Sequence, residues 1–194
     1  MSARAASAPT RRALLRAGLV LAAASPLLAP GRARAQVAAS CVAPAAATPA
    51  QTAGPFFIAG APQRGSLRDP DIAGEPFRLE GRLVDPRCGP VASARVDLWQ
   101  ADGRGAYDTQ GSRLRGHLLT DAEGRFAFDT VRPGRYPGRT PHFHLRVTPA
   151  RGATLTTQLY FPGEPGNARD SIFRPELLLA MPDAANGRAI LVLG

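Results

Sequence analysis

Lysine is absent from this 194-residue chain, and all 24 of its basic residues are arginine. The absence excludes a P-loop lysine and a Schiff-base lysine, so neither of those chemistries is available. Histidine and tyrosine are scarce at three residues each, and tryptophan occurs once. Cysteine occurs only at positions 41 and 88. No internal repeat and no long amphipathic helix is visible. The one sizeable apolar run, Leu14 to Leu28, is interrupted by Arg16 and is too short to span a membrane, so no stable membrane association is expected.

What precedes residue 36 reads as an export signal. Thr10-Arg11-Arg12-Ala13-Leu14-Leu15-Arg16 is a twin-arginine pattern, the apolar run follows, and Ala33-Arg34-Ala35 is a small-x-small cleavage site. A mature chain starting at Gln36 and a periplasmic or secreted location are expected. Six of the 24 arginines lie in residues 1–35 and none of the 15 acids does, so residues 36–194 carry 18 arginines against 15 acids, a balance of +3. The formal charge of +9 therefore owes much to the signal, and nucleic acid is not an expected partner. In an oxidising compartment the two cysteines are expected to form one disulfide, worth about 4 kcal/mol in the chain-entropy model.

Residues 36–63 are rich in Ala, Pro and Thr and read as an extended arm. Residues 64–194 then show short alternating segments at 77–85, 94–100, 141–148, 155–161 and 189–193, with a hairpin expected over 117–131, turning at Asp121-Ala122-Glu123-Gly124. Phe126 and Phe128 should share one face of it. A short helical turn is expected within 171–181. The pattern predicts an all-β domain, a sandwich or barrel.

Scarce chemistry gathers in one place. Tyr136-Pro137-Gly138-Arg139-Thr140-Pro141-His142-Phe143-His144 holds a phenol, a guanidinium and two imidazoles within nine residues. His142 and His144 sit two apart on a strand, so both imidazoles face one way while Phe143 and Leu145 face the other. Two neutral imidazoles on one face can ligate a metal; two half-buried strand histidines are the plain alternative.

In chain order, Val96-Asp97-Leu98-Trp99-Gln100-Ala101-Asp102, Tyr107, Thr120-Asp121-Ala122-Glu123-Gly124-Arg125-Phe126, Pro133-Gly134-Arg135-Tyr136-Pro137, Arg139-Thr140-Pro141-His142-Phe143-His144 and Thr157-Gln158-Leu159-Tyr160-Phe161 resemble the intradiol ring-cleavage dioxygenases. This is the family of protocatechuate and catechol dioxygenases. The likeness spans about 48–163 and is nearest to short exported members. It implies a β-sandwich with one Fe(III) per chain held by Tyr107, Tyr136, His142 and His144. Ferric iron is a hard acid that favours anionic oxygen, and it deprotonates phenols whose free pKa is about 10. The resemblance further implies that Arg139 stabilises charge on the reacting ring, that Tyr136 is the ligand that accepts a substrate proton, and that Gln158 faces the same pocket. The implied partners are a small aromatic diol and O2. The implied reaction inserts both oxygen atoms and opens the ring between its hydroxyl-bearing carbons, giving a cis,cis-muconate-type product.

Two departures from the family pattern stand out: Thr52-Ala53-Gly54-Pro55 where Thr-Glu-Gly-Pro is common, and Gly138 where protocatechuate enzymes carry Trp. Tyr160 is expected only to pack, and His117 to be a structural or surface residue. A rival interpretation remains at this point, a non-catalytic sandwich module of the carboxypeptidase-regulatory or transthyretin-like type, which the segments 81–85 and 121–126 also resemble. It offers no reason for two tyrosines, two histidines and Arg139 to fall in this order.

Overall fold

Eight strands, β1 Pro76–Val84, β2 Arg95–Trp99, β3 Arg115–Leu119, β4 Arg125–Val131, β5 His142–Thr148, β6 Leu155–Tyr160, β7 Ala180–Asp183 and β8 Asn186–Val192, form two four-stranded sheets in a computed structural model that describes residues 41–43 and 45–194. The twin-arginine segment lies outside the described residues. One sheet has the order β4-β1-β8-β7 and the other β3-β2-β5-β6. All neighbours are antiparallel except β1 and β8, which run parallel.

Alternation explains the sandwich. In β1, Phe77, Leu79 and Leu83 are buried between the sheets while Arg78 and Arg82 face solvent. Phe126 and Phe128 from β4, Val96 and Leu98 from β2, and Phe143, Leu145 and Val147 from β5 complete the shared core. Among the described residues no helix is long and apolar enough to cross a membrane. Single 3₁₀ turns occupy Asn167–Arg169 and Pro175–Leu177, the latter inside the segment expected to hold a helical turn.

The expected hairpin over 117–131 is not one. Its turn forms, with Asp121 Oδ1 accepting the backbone N–H groups of Glu123 and Arg125, but β3 and β4 belong to different sheets. The segment arches from one layer to the other. Phe126 and Phe128 do share a face, because β4 buries that face in the core.

Before β1 the chain runs past the ends of β1 and β8 and then along β6 of the other sheet. Ala45 N–H donates to Pro86 O, Thr48 N–H to Val192 O and Gln51 N–H to Thr156 O. Thr157 Oγ1 reaches Pro49 O, and Gln158 Nε2 reaches Thr52 O. Cys41 and Cys88 form a disulfide that ties the start of this strap to the turn after β1. His117 is structural: its Nδ1 lies 2.8 Å from Ala61 O, and its backbone bridges to Gln63.

Candidate active site

Register on the outer face of the β3-β2-β5-β6 sheet sets the first row of the site. His144 on β5 is paired with Trp99 on β2 and with Gln158 on β6, and one row along His142 is paired with Tyr160. These side chains point away from the core, yet all are buried, since the strap and loops cover them. The imidazole of His144 stacks on Trp99 at 5.0 Å between centroids, and Phe57 of the strap meets Trp99 edge-on. Gly54 of the strap passes so close to His144 that a Cβ there would lie 3.4 Å from its Cε1.

Two loops bring the phenols. Tyr107 follows a turn whose Asp102 Oδ1 accepts the backbone N–H groups of Arg104 and Ala106. Phe56 stacks flat on its ring at 4.1 Å. Arg115, itself buried, donates to the carbonyls of Phe56 and Asp108 and so clamps the segments on either side of that stack. Tyr136 opens a tight turn closed by Arg139 N–H on Tyr136 O at 3.0 Å. Pro137 and Gly138 fill the central positions, and Gly138 has φ +78°, the left-handed value that a type II turn requires there. The glycine is thus needed for backbone shape; a Cβ at this point would meet nothing within 4 Å.

The structure brings the four rings together. Tyr107 and Tyr136 lie 5.6 Å apart, Tyr136 and His142 5.7 Å, and His142 and His144 4.7 Å between centroids. The two Nε2 atoms face each other at 3.1 Å. His142 Nδ1 lies 2.6 Å from Thr140 O, which can only accept, so the proton sits on Nδ1 and the lone pair on Nε2. Burial, reinforced by Arg139, holds His142 down to about 4; burial, then His142 itself, holds His144 down to about 2. Both imidazoles are therefore neutral and fit to ligate. Tyr107 Oη is buried and closes no hydrogen bond of normal geometry, with the Tyr136 phenol as its polar neighbour; burial first, then that phenol, pushes its pKa well above that of a free phenol.

These features fit a bound cation. The two Nε2 atoms lie 3.1 Å apart on one side of the cluster, near enough for one small cation to engage both. A cation would also engage the buried Tyr107 oxygen and reverse its preference for the neutral form. Among the described residues no three His, Cys, Asp or Glu side chains gather to hold a metal; beside the two imidazoles, the cluster offers the two phenol oxygens as further donors.

Arg139 borders the cluster. Its Nη1 donates to Tyr136 Oη at 3.2 Å, its Nη2 to Gln158 Oε1 and to Tyr160 Oη, and its Nε to Asp170 Oδ2 at 2.9 Å. Tyr160 is thus more than packing. Its hydroxyl also donates to Gln51 Oε1 at 2.7 Å, and burial raises its pKa to about 12. Asp170, Arg115 and Phe56 carry no signal in the sequence that separates them from ordinary surface or loop residues, whereas Gln51 lies in the Thr48-Pro49-Ala50-Gln51-Thr52 arm that resembles short exported family members. A cavity of about 620 Å³ lined by Arg78, Arg82, Arg125 and Arg188 touches none of the four rings, and a second of about 300 Å³ borders only Tyr107.

The family model described as Dioxygenase matches residues 52–189. The chain belongs to the intradiol ring-cleavage dioxygenase family. Hydroxyquinol 1,2-dioxygenase of Nocardioides simplex is 36% identical over 151 residues, covering 66% of this chain and 52% of the relative. Protocatechuate 3,4-dioxygenase beta chain of Burkholderia cepacia is 34% identical, covering 66% and 60%. The chain thus spans about half to three-fifths of these intradiol enzymes. In structure it resembles the dioxygenase domain of a dioxygenase–carbohydrate-binding protein fusion from Streptomyces sp. SirexAA-E, with 42% identity, a TM-score of 0.73, and coverage of 76% of this chain and 98% of that domain. The intradiol family uses non-haem iron. These relatives are enzymes and give no support to a non-catalytic sandwich module.

Proposed function

We propose that this chain is an Fe(III)-dependent intradiol dioxygenase that binds one iron per chain through Tyr107, Tyr136, His142 and His144 and opens a catechol between its hydroxyl-bearing carbons. The observation that carries this is the convergence of the four rings, with opposed Nε2 atoms at 3.1 Å and a buried phenol oxygen that closes no hydrogen bond of normal geometry. When bound, ferric iron supplies the Lewis acidity that favours the catecholate dianion and makes its ring carbon reactive toward O2. With the metal bound, Tyr136, on the exposed turn, would be held as a phenolate and would take a proton from the entering catechol at Oη, leaving as the neutral phenol, while Tyr107, stacked under Phe56, would stay in place. Arg139 Nη1 stands beside Tyr136 Oη and stabilises negative charge growing on the ring; Gln158 and Tyr160 hold the other Nη. Phe56 and Trp99 exclude water from two sides.

The test is direct. Iron-loaded protein should be red-brown, contain about one iron per chain, and take up O2 with a catechol to give a muconate-type diacid. Protein that stays colourless after loading, or a ring opened beside the diol, would sink the proposal. Residues 1–35 further support export in the folded state through a twin-arginine route, with catalysis in the periplasm or outside the cell.

A further inference from the structure

Arg139 occupies the last position of an exposed turn, where a long flexible side chain would ordinarily point to water. It does not: its side chain is only 15% exposed, because Nε is held by Asp170, whose own side chain is 1% exposed. A carboxylate that deep is costly unless its lone pairs are used. Here Oδ2 accepts both Arg139 Nε at 2.9 Å and Thr140 N–H at 3.0 Å, and Oδ1 accepts Ile172 N–H at 3.2 Å. Asp170 therefore grips the arginine side chain and the backbone just after it. The loop that carries Asp170 is pinned in turn by Asn167, which accepts from Thr140 Oγ1 and donates to Phe161 O.

A guanidinium has five N–H donors in a rigid plane. Nε is on Asp170, Nη2 reaches Gln158 and Tyr160, whose oxygens lie only 2.9 Å apart, and one Nη1 hydrogen goes to Tyr136 Oη, which leaves the other Nη1 hydrogen over. We infer that Asp170 is a positioning residue for the intradiol reaction: it fixes the plane of the Arg139 guanidinium so that this last Nη1 donor faces the substrate. The inference rests on the function proposed above. A brace that merely ties Thr140 to Ile172 would explain the two backbone contacts but not why the carboxylate also takes Nε.

The two roles separate in a mutant cycle read by oxygen uptake with catechol, iron content and visible absorption. Asp170→Asn keeps an acceptor of the same shape but loses the charge. It should retain iron and colour and leave KM within about threefold, while kcat falls roughly 10–100-fold, the usual loss when a supporting contact lets a reacting group drift. In an Arg139→Ala background the same change should alter kcat by less than about twofold, because the group it positions is gone. Wild-type kcat in Asp170→Asn, or losses that multiply in the double variant, would overturn the inference. Should Asp170→Asn fail to fold, Asp170→Glu, which keeps the charge but moves the carboxylate by a methylene, should show the same split. A readout free of turnover uses the ¹⁵N spectrum of metal-free protein. The Arg139 Nε–H signal, identified by its loss in Arg139→Ala, should exchange slowly in wild type and quickly in Asp170→Asn; slow exchange in both would count against the contact. If wild-type protein cleaves no catechol, the proposed function fails, while this spectrum still decides the Asp170–Arg139 contact.

Discussion

Tyr107 shows the conflict between stability and function most plainly. Its buried hydroxyl closes no hydrogen bond of normal geometry, a state that costs about 1–3 kcal/mol in a protein without metal. Tyr107→Phe should therefore stabilise the metal-free protein by about that much in urea denaturation with a chelator present. The same variant should bind iron more weakly and lose much of its visible absorption. An unchanged midpoint together with full colour would show that this oxygen faces no cation. Arg139 makes the opposite kind of prediction. Arg139→Ala should keep iron and colour yet turn over catechol roughly 10²–10³-fold more slowly, the loss expected for one charged donor at developing negative charge. Arg151→Ala, in the exposed turn after β5, should match wild type in the same oxygen-electrode assay. His142 and His144 were legible in the sequence from their spacing on a strand, and Tyr107 and Tyr136 joined them through the ordered motifs that resemble the family. Asp170 and Arg115 were not, because an aspartate in a loop and one arginine among 24 acquire meaning only from what packs on them.

At the scale of elements, alternation predicted where strands would run but not which sheet would receive them. Residues 117–131 have the turn and the alternating pattern of a hairpin, and the two halves still part into opposite layers. Period two reports which side chains share a face; it carries no information on the strand that will pair alongside. The short β7 has little apolar alternation to betray it, with only Met181 partly buried among Ala180, Pro182 and Asp183. The strap is the element that matters most for the site. It lends Gly54, Phe56 and Gln51 to the ring cluster and the arginine network, and the Cys41–Cys88 disulfide anchors its beginning. Replacing both cysteines with serine should lower unfolding stability by up to about 4 kcal/mol, since the closed loop has a sequence separation of 47. Chemical denaturation of oxidised wild type against the double variant measures it. Equal midpoints would mean that the strap is held by its hydrogen bonds alone.

For the molecule as a whole, the proposed export route and the site make compatible demands. The proposed iron ligands, drawn from residues 107 to 144, meet only in a folded chain, which is the form a twin-arginine route carries. Arg11→Lys with Arg12→Lys should leave the precursor, with its iron, in the cytoplasmic fraction; normal periplasmic accumulation would remove that part of the proposal. The parallel pairing of β1 with β8 adds a constraint of timing. β1 sits between β4 and β8, so its second neighbour is the final strand of the sandwich, and the strap also fastens to β8 through Thr48 and Val192. During synthesis β1 must therefore wait, half-paired, until residues 186–192 have left the ribosome. Pairings this distant in sequence slow folding to milliseconds or longer. A nascent chain stalled with β8 still inside the ribosome should be degraded by limited proteolysis, and protection should arrive abruptly with the last strand. The sandwich, and with it the proposed metal site and the folded form that the proposed export route requires, is therefore complete only once this one short segment is free to pair.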